Sequence, residues 1–254
     1  MNILVCVKRV PLTGGKITLT EDAQAIQTRH LGFTVSPHEE CAAEEAVRLI
    51  ELHGGQSTVL TLGPAEAEEQ LRDMMAIGID RGIHLITDGG EWDPQATAAA
   101  ILDAIRSDAE DFDLLLFGNE SADAGNYQVA IRVAAALGLP CVNGIKAINI
   151  EPHPPHTLRC EQEVAGGRDV YEVPMPSVVS VLEGINLPRY PSVPGRMRAK
   201  RKPLVSTEPE RPDAQLPMVR LLLPEGSSKQ AEVLGSGAEA APAVVRILQE
   251  IGVV

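Results

Sequence analysis

The chain has 254 residues, and 22 Lys and Arg residues against 35 Asp and Glu residues give it a formal net charge of −13. This length allows one large domain or two small ones, and a hydrophobic content of 44% indicates a globular protein rather than a disordered one. Aromatic residues make up only 3% of the chain, too few for a base-stacking platform, and the acidic balance disfavours phosphate backbones. We therefore expect no nucleic-acid partner.

The N-terminus and the cysteines indicate where the protein works. No run of about 18 apolar residues occurs, so we expect no direct membrane insertion. Lys8 and Arg9 follow the first apolar stretch instead of preceding it, which is typical of a strand and not of a signal peptide. The four cysteines, Cys6, Cys41, Cys141 and Cys160, form no C-x-x-C pair, so we expect neither a disulfide framework nor a zinc site. These features predict a cytoplasmic protein.

The first 140 residues alternate between short apolar runs and amphipathic segments. The apolar runs predict strands, and segments with apolar residues three or four positions apart predict helices. In chain order the predicted elements are strand Ile3–Val7, helix Pro37–His53, strand Ser57–Leu62, helix Ala65–Ile77, strand Gly82–Ile86, helix Asp93–Ser107, strand Asp113–Phe117 and helix Val129–Leu137. Such strand–helix repeats predict an α/β fold with an open, mostly parallel, doubly wound sheet and right-handed crossovers.

The alternation ends after Pro140. Four further runs predict strands that add antiparallel edges to the sheet: Ile145–Ile150, Leu158–Val164, Val170–Val173 and Ser177–Leu182. We therefore expect an α/β domain over residues 1–185, then a Pro-rich segment and a basic run over 186–202. Residues 203–254 are expected to form an extended C-terminal arm with an amphipathic helix over Ala241–Ile251. This arm has little core of its own, so it must wrap its own body or another chain.

Open parallel sheets bind ligands beyond the carboxyl ends of their strands. This rule selects four segments: Cys6–Arg9, Ser36–Glu39, Leu62–Pro64 and Gly118–Gln128. The last one leads from a strand to a helix expected to begin near Gly125, so its backbone N–H groups suit an anion such as phosphate. The alternative is an ordinary polar loop with a helix cap. Both interpretations stay open, because neither G-x-G-x-x-G nor a P-loop motif is present.

Catalytic motifs are absent or weak in the sequence. The six histidines form no H-x-x-x-H pair, and His153 and His156 lie in a proline turn that we expect to be solvated. No G-x-S-x-G elbow occurs. We therefore expect no catalytic residue and no metal site, and a carrier or subunit is favoured over an enzyme.

Several stretches resemble the beta subunit of electron transfer flavoprotein, a family that shuttles electrons from flavin dehydrogenases to a membrane quinone reductase. The similarity covers nearly the whole chain and is weakest from Pro203 onward. The matching stretches are Leu4–Val10, Glu44–Leu49, Ala76–His84, Glu161–Gly167, Pro176–Ser180 and Asn186–Lys200. The most specific of them is Glu161–Gly167 with Pro176–Ser180, which resembles the family's acid, Gly-Gly, strand and Pro-x-Val-Val signature.

The resemblance implies an adenine-nucleotide-binding α/β layer that pairs with an alpha subunit, which holds most of the FAD site. It also implies a structural AMP in the beta subunit. The matching AMP positions are Cys6, Ser36, Pro37, His38, Glu39, Leu62, Gly118, Asn119, Glu120, Ser121, Asp123, Gly125, Asn126, Gln128 and Val129. In electron-bifurcating relatives this pocket holds a second FAD and the subunit uses NADH. That alternative stays open, with AMP favoured.

A stand-alone nucleotide-binding module of similar fold is a third hypothesis. The long tail and the Pro-rich segment argue against it, because a self-contained module needs neither. The resemblance instead implies that the Pro-rich segment is a recognition loop, which docks one apolar side chain into a partner dehydrogenase. Val193 occupies the anchor position, with Tyr190, Pro191 and Pro194 around it.

The resemblance places further residues near the flavin. Arg9 and Thr13 are expected close to FAD, and Thr13 stands where some relatives carry a tyrosine against the flavin. Glu163 matches an acidic position that restrains the mobile flavin domain. The chain departs from the family at Ser36, where Asn is frequent, and at Ala165, where Asp is common.

Overall fold

The structure of the chain is a computed structural model that describes residues 1–12, 14, 17–151, 157–213, 215–223 and 233–253. Its internal contacts divide the chain into two units, Met1–Arg220 and Leu221–Val254. The second unit contains a 3₁₀ turn over Gly237–Ala240 and helix Ala241–Glu250, close to the predicted helix. No residue of that helix is buried within the chain.

The first unit is built from a nine-stranded sheet, a separate two-stranded pair and five α-helices among its described residues. The strands are β1 (Asn2–Cys6), β2 (Arg9–Pro11), β3 (Phe33–Val35), β4 (Gln56–Gly63), β5 (Arg81–Ile86), β6 (Leu114–Gly118), β7 (Cys141–Ile150), β8 (Thr157–Val164), β9 (Gly167–Pro174), β10 (Ser177–Val181) and β11 (Leu204–Thr207). The helices are α1 (Pro37–His53), α2 (Glu68–Ile77), α3 (Pro94–Ser107), α4 (Val129–Leu137) and α5 (Val193–Ala199). The helix of the second unit is α6.

The large sheet has the strand order β11-β5-β4-β1-β6-β10-β7-β8-β9. All neighbours from β11 to β7 pair in parallel, and the hairpin of β8 and β9 adds two antiparallel strands at one edge. The predicted open, mostly parallel α/β sheet with added antiparallel strands is confirmed.

Helices cover both faces of the sheet, so its central strands are buried on both sides and rich in apolar residues. Ile3 and Val5 of β1 belong to one core cluster, with Ala46 of α1 and Leu71 of α2. Leu4 and Cys6 belong to the other, with Ile101 of α3 and Val133 of α4. The β1 residues Ile3, Leu4 and Val5 are completely buried. The sheet therefore separates two cores, and its carboxyl edge remains open between the covering helices.

Two elements differ from the sequence prediction. Strand β10 was expected as an antiparallel edge strand, yet it lies between β6 and β7 and pairs with both in parallel. The order of strands depends on pairings between distant parts of the chain, which local patterns do not encode. Strand β11, in the segment predicted as an extended arm, pairs with β5 in parallel and forms the other edge of the sheet.

Candidate functional site

The segments selected by the strand-end rule meet at the carboxyl edge of the sheet. The last residue of β1, Cys6, pairs in register with Phe117 of β6 on one side and Leu60 of β4 on the other. Leu62 lies near the end of β4 and packs against the core cluster on the α3 and α4 face. The strand ends and the first turn of α1 therefore frame one site.

Gly118, the last residue of β6, lies directly against the first turn of α1. A Cβ at this position would lie 2.6 Å from Cγ of Glu39, 3.0 Å from its backbone N and 3.1 Å from Cβ of His38. No other residue fits without displacing α1. This close approach gives glycine a steric reason to stand where the strand leaves the sheet.

Ser36, the residue that caps the N-terminus of α1, joins the helix to the loop after β6. Its Oγ accepts a hydrogen bond of 2.9 Å from the backbone N–H of Ala122. The Oε2 atom of Glu39 accepts from the backbone N–H of Ser36 at 3.3 Å and from that of Lys8 at 3.1 Å. The segments after β1 and β6 are thus held together by the first turn of α1.

Burial dominates the electrostatics of Glu39, which is only 7% exposed. Desolvation raises the pKa of its carboxyl group to about 8, although the N–H groups of Lys8 and Ser36 and the charge of Lys8 oppose the shift. Near neutral pH the side chain is therefore mostly protonated. The site carries one negative charge fewer than its sequence implies, which favours an anionic ligand.

Lys8 forms an ion pair with the loop after β6. Its Nζ lies 2.8 Å from Oδ2 of Asp123 and 2.9 Å from Oε1 of Glu91. Burial alone would lower the pKa of Lys8, but the two carboxylates raise it overall. Burial likewise opposes ionisation of Asp123, yet the charge and hydrogen bond of Lys8 hold its pKa below the ordinary value. The strand-end rule selected Lys8 within Cys6–Arg9 but assigned it no role, and the sequence prediction omitted Glu91.

Two further residues of the loop after β6 make different contacts: Asn119 bonds to β10, and Gly125 bonds within the loop. The N–H of Asn119 donates to the carbonyl of Val181, and its Oδ1 lies 3.0 Å from Oγ of Ser180, so its side chain is directed toward β10. The N–H of Gly125 donates to the carbonyl of Ser121 at 3.1 Å, which closes a turn within the loop.

Helix α4 runs over Val129–Leu137, as predicted, but the expected helix entry near Gly125 is wrong, because the loop first makes a left-handed turn at Tyr127 (φ 56°). The side chain of Tyr127 hydrogen-bonds to Glu120, and this bond raises the pKa of the phenol. Oε1 of Gln128 accepts from Nε of Arg132 at 3.1 Å. The first-turn N–H groups of α4 have no partner within the helix, and they come directly after Gln128 in the chain.

Two predicted pocket residues on α1 and one in the loop remain solvent-accessible. Pro37 at the first helical position is exposed, and so is Asn126. His38 is half-buried, and its Nδ1 is buried without a hydrogen-bond partner. A buried nitrogen without a partner is costly and suits a bound polar group.

Of the two residues expected near FAD, the structure describes Arg9, which lies on β2. The guanidinium of Arg9 stacks on the ring of Phe33, with Cζ 3.3 Å from the ring centroid, and its Nε is buried without a partner. Thr13 lies outside the described residues. Glu163, on β8, is largely exposed, with one carboxylate oxygen 4.0 Å from Arg168.

A segment from the end of the first unit covers the loop after β5. The guanidinium of Arg211 donates to the carbonyl of Glu91 and lies over the ring of Trp92, with Cζ 5.7 Å from the centroid. Oδ2 of Asp93 accepts from the backbone N–H groups of Gln215 at 2.9 Å and Leu216 at 3.2 Å. This strap, formed by Arg211, Gln215 and Leu216, therefore holds the loop whose Glu91 pairs with Lys8.

The described residues include no group of three or more His, Cys, Asp or Glu side chains that could hold a metal ion. His153 and His156 lie outside the described part of the chain. All four cysteines are free thiols, and burial raises the pKa of Cys160 to about 12. No helix in the described ranges has both the length and the apolar content to cross a membrane.

The Pro-rich segment contains a short helix where a loop was predicted. Helix α5 begins at Val193, and Oγ of Ser192 caps it by accepting from the N–H of Gly195 at 3.1 Å. Val193 is 76% exposed and Tyr190 is 96% exposed, whereas Pro191 is half-buried and Pro194 is exposed. The predicted anchor therefore stands at the N-terminus of a helix.

The sequence of the chain is similar to that of known proteins over most of its length. The family model described as the electron transfer flavoprotein domain matches residues 25–212. The electron transfer flavoprotein subunit beta of Bacillus subtilis (strain 168) is 34% identical over 257 residues, covering 98% of each chain. That of Syntrophomonas wolfei is 35% identical over 225 residues, covering 88% of this chain and 86% of the relative. The mitochondrial subunit beta of Arabidopsis thaliana is 33% identical over 205 residues, covering 80% of each.

The parallel α/β sheet and the matched residues place the chain in the class of electron transfer flavoproteins. Within that class, it belongs to the beta subunit family. The resemblance inferred from the sequence motifs is therefore confirmed.

Proposed function

We propose that the chain pairs with an alpha subunit and that this heterodimer carries electrons from flavin-dependent dehydrogenases to a quinone reductase. The chain itself turns over no substrate. The near full-length match to beta subunits carries this proposal, since it spans the strand-end site and the exposed helix α5 alike. The four free thiols support a reducing compartment, and the cytoplasm remains our prediction.

We assign AMP to the site at the carboxyl edge. Gly118 opens the backbone there, and the unpaired first-turn N–H groups after Gln128 are suited to a phosphate. The unpartnered Nδ1 of His38 is available to a polar group of the ligand. The mostly protonated Glu39 reduces the repulsion of an anion. AMP supplies no redox chemistry, so this site has a structural role.

FAD supplies the redox chemistry when it is bound, mainly by the alpha subunit. Arg9 is assigned to the beta-subunit side of that site, because its stacked guanidinium carries an unpartnered buried Nε. Thr13 is assigned there by resemblance alone. Glu163 is proposed to restrain the flavin domain, and its exposed carboxylate is accessible for such a contact.

The proposed domains differ in role: one binds the nucleotide, one recognises the dehydrogenase and one packs on the alpha subunit. Residues 1–185 form the nucleotide-binding body, 186–202 the partner-recognition and basic segment, and 203–254 an arm that first adds β11 to the sheet and then packs on the alpha subunit. Helix α6 supports the last assignment, since it presents an uncovered apolar set: Val244, Val245, Ile247 and Ile251. On the recognition segment, Val193 docks into an apolar pocket of the dehydrogenase, assisted by Tyr190, Pro191 and Pro194.

Co-expression with the alpha subunit tests the proposal. The purified heterodimer should be yellow and should release one FAD and one AMP on denaturation. Two FAD per heterodimer, with bleaching by NADH, would favour an electron-bifurcating flavoprotein with FAD in the pocket of this chain. A stable, colourless monomer that does not bind the alpha subunit would contradict both.

A further inference from the structure

The segment that carries Val193 is fastened to α1 by Arg189. Nε and Nη2 of Arg189 each lie 2.9 Å from a carboxylate oxygen of Glu44. Its Nη1 and Nη2 lie 2.7 Å and 3.0 Å from the two oxygens of Glu51. The side chain of Glu44 is only 5% exposed, so this charge is satisfied mainly by the guanidinium. The planar fork therefore fixes the chain four residues before Val193.

Asn186 adds a second contact at the same end of the segment. Its Nδ2 donates to the carbonyl of Cys41 at 3.0 Å and to Oε2 of Glu45 at 2.9 Å. Both acceptors are on α1. Arg189 and Asn186 thus attach the segment to one face of one helix.

A reciprocal clamp fastens the other end of the segment to α2. Nη1 of Arg72, on α2, donates to the carbonyls of Ala199 at 2.8 Å and Lys202 at 3.0 Å, which follow from the last turn of α5. Nζ of Lys202 donates to the carbonyls of Met75, Gly78 and Ile79 at 3.0, 3.1 and 2.6 Å, at the end of α2. The C-terminus of α5 thereby receives the cation of Arg72 from α2, and the C-terminus of α2 receives that of Lys202, which follows α5.

The two helices also approach each other closely between these attachments. A Cβ at Gly195 would lie 2.5 Å from the carbonyl oxygen of Ala76, so only glycine permits the observed crossing of α5 over α2. Ala199 is 1% exposed. The inner face of α5 is therefore packed against backbone, while Val193 and Met197 on its outer side remain 76% and 59% exposed.

We propose that Arg189, Arg72 and Lys202 are positioning residues for partner recognition, which preset Val193 on a fixed helix before the dehydrogenase arrives. The inference rests on the proposed docking role of Val193. Ordering a loop on binding costs affinity, and an element already held in its bound conformation avoids that cost. Loss of a clamp should therefore weaken docking without changing the flavin or the electron-transfer step.

The test uses the heterodimer and a flavin dehydrogenase of the same organism that reduces the wild-type protein. Arg189→Gln and Arg72→Gln should each raise the KM for the heterodimer about three- to tenfold, the cost of ordering one or two side chains. The kcat, flavin content and visible spectrum should stay unchanged. The KM of Arg189→Lys should lie between those of the wild type and Arg189→Gln, because lysine keeps the positive charge but lacks the planar guanidinium fork. Arg106→Gln, an exposed arginine at the end of α3, is the matched control.

Val193→Ala distinguishes the docking role of Val193 from the positioning role of Arg189 and Arg72. If Val193→Ala leaves the KM unchanged, the docking proposal itself is wrong. If Val193→Ala raises the KM while Arg189→Gln and Arg72→Gln do not, docking stands and the positioning role is overturned. If a Gln variant fails to assemble, the KM values of Arg189→Lys and Arg72→Lys test the positioning role instead. A raised KM supports that role and an unchanged KM overturns it. Hydrogen exchange over residues 187–200 should also be faster in every clamp variant that raises the KM, and unchanged exchange would contradict preorganisation.

Discussion

Gly118 and Glu39 lie so close that a Cβ on the glycine would meet Cγ of the glutamate at 2.6 Å. This contact joins the end of β6 to the first turn of α1, the two parts of the chain that frame the proposed AMP site.

Gly118→Ala should displace the first turn of α1. Overpacking of this kind costs about 1–3 kcal/mol, and we expect a lower thermal midpoint together with weaker AMP retention. Gly167→Ala is the control, because a Cβ there meets nothing within 4 Å. Thermal unfolding and AMP quantification after gel filtration measure both effects. Equal results for the two alanine variants would show that the close approach is unimportant.

Glu39→Gln should change how stability depends on pH. The pKa of Glu39 is about 8 in the folded chain against an ordinary 4.5, so folding favours the protonated form. This contribution is complete below about pH 4.5 and is lost as the pH rises to about 8. The thermal midpoint of the wild type, relative to that of Glu39→Gln, should therefore fall across this range. Parallel curves for the wild type and Glu39→Gln would contradict the assignment.

Lys8→Met should destabilise the loop after β6, because it leaves Asp123 without its cation. A hydrogen bond to a charged group contributes about 1.5–3 kcal/mol, and the loss should appear in urea unfolding. Asp123→Asn in the Lys8→Met background should recover part of it, since the neutral amide needs no counter-ion. Additive effects of the two substitutions would show that the residues do not interact.

Asp93→Ala should release the strap formed by Arg211, Gln215 and Leu216, and it should also weaken α3. Oδ1 of Asp93 accepts from Gln95 and Ala96 at 2.8 Å each, and Oδ2 accepts from Gln215 and Leu216. Loss of the helix cap costs about 1 kcal/mol, and a glutamate-specific protease should cut faster after Glu210, the residue before Arg211. Asp103→Asn, exposed on the same helix, is the control. Unchanged cleavage would mean that the strap is held by other contacts.

The pH dependence of the Asp93 effect has the opposite sign to that of Glu39. Burial opposes ionisation, but the four backbone N–H groups lower the pKa of Asp93 overall. Its contribution is therefore present above the ordinary aspartate pKa and is lost as the pH falls below it. The difference between wild type and Asp93→Ala should shrink in acid.

The elements with strong local signals were predictable from the sequence. Helix α1 runs over Pro37–His53 as predicted, because Pro37 starts it, acids fill its first turn and Gly54 ends it. The meeting of the selected segments at one edge was also predictable, since the ends of parallel strands share one edge of the sheet.

Features that depend on distant partners were not predictable. Lys8 and Glu91 form an ion pair across 83 positions of the chain, and no local pattern encodes it. Helix α5 has only seven residues in a proline-rich stretch, and its position depends on Gly195 lying against Ala76 of α2. Short isolated helices are unstable in water, so tertiary contacts and not propensity determine this one.

The placement of β10 between β6 and β7 has a consequence for biosynthesis. While the ribosome has released only the chain as far as β9, the central sheet lacks the strand that bridges its two halves. Residues 177–181 must then insert between partners that are already made, one of them more than 60 positions upstream. Such non-local pairing slows maturation and leaves strand edges uncovered in the nascent polypeptide. We expect chaperones to bind nascent chains that stop short of Val181 and to release those that extend past it.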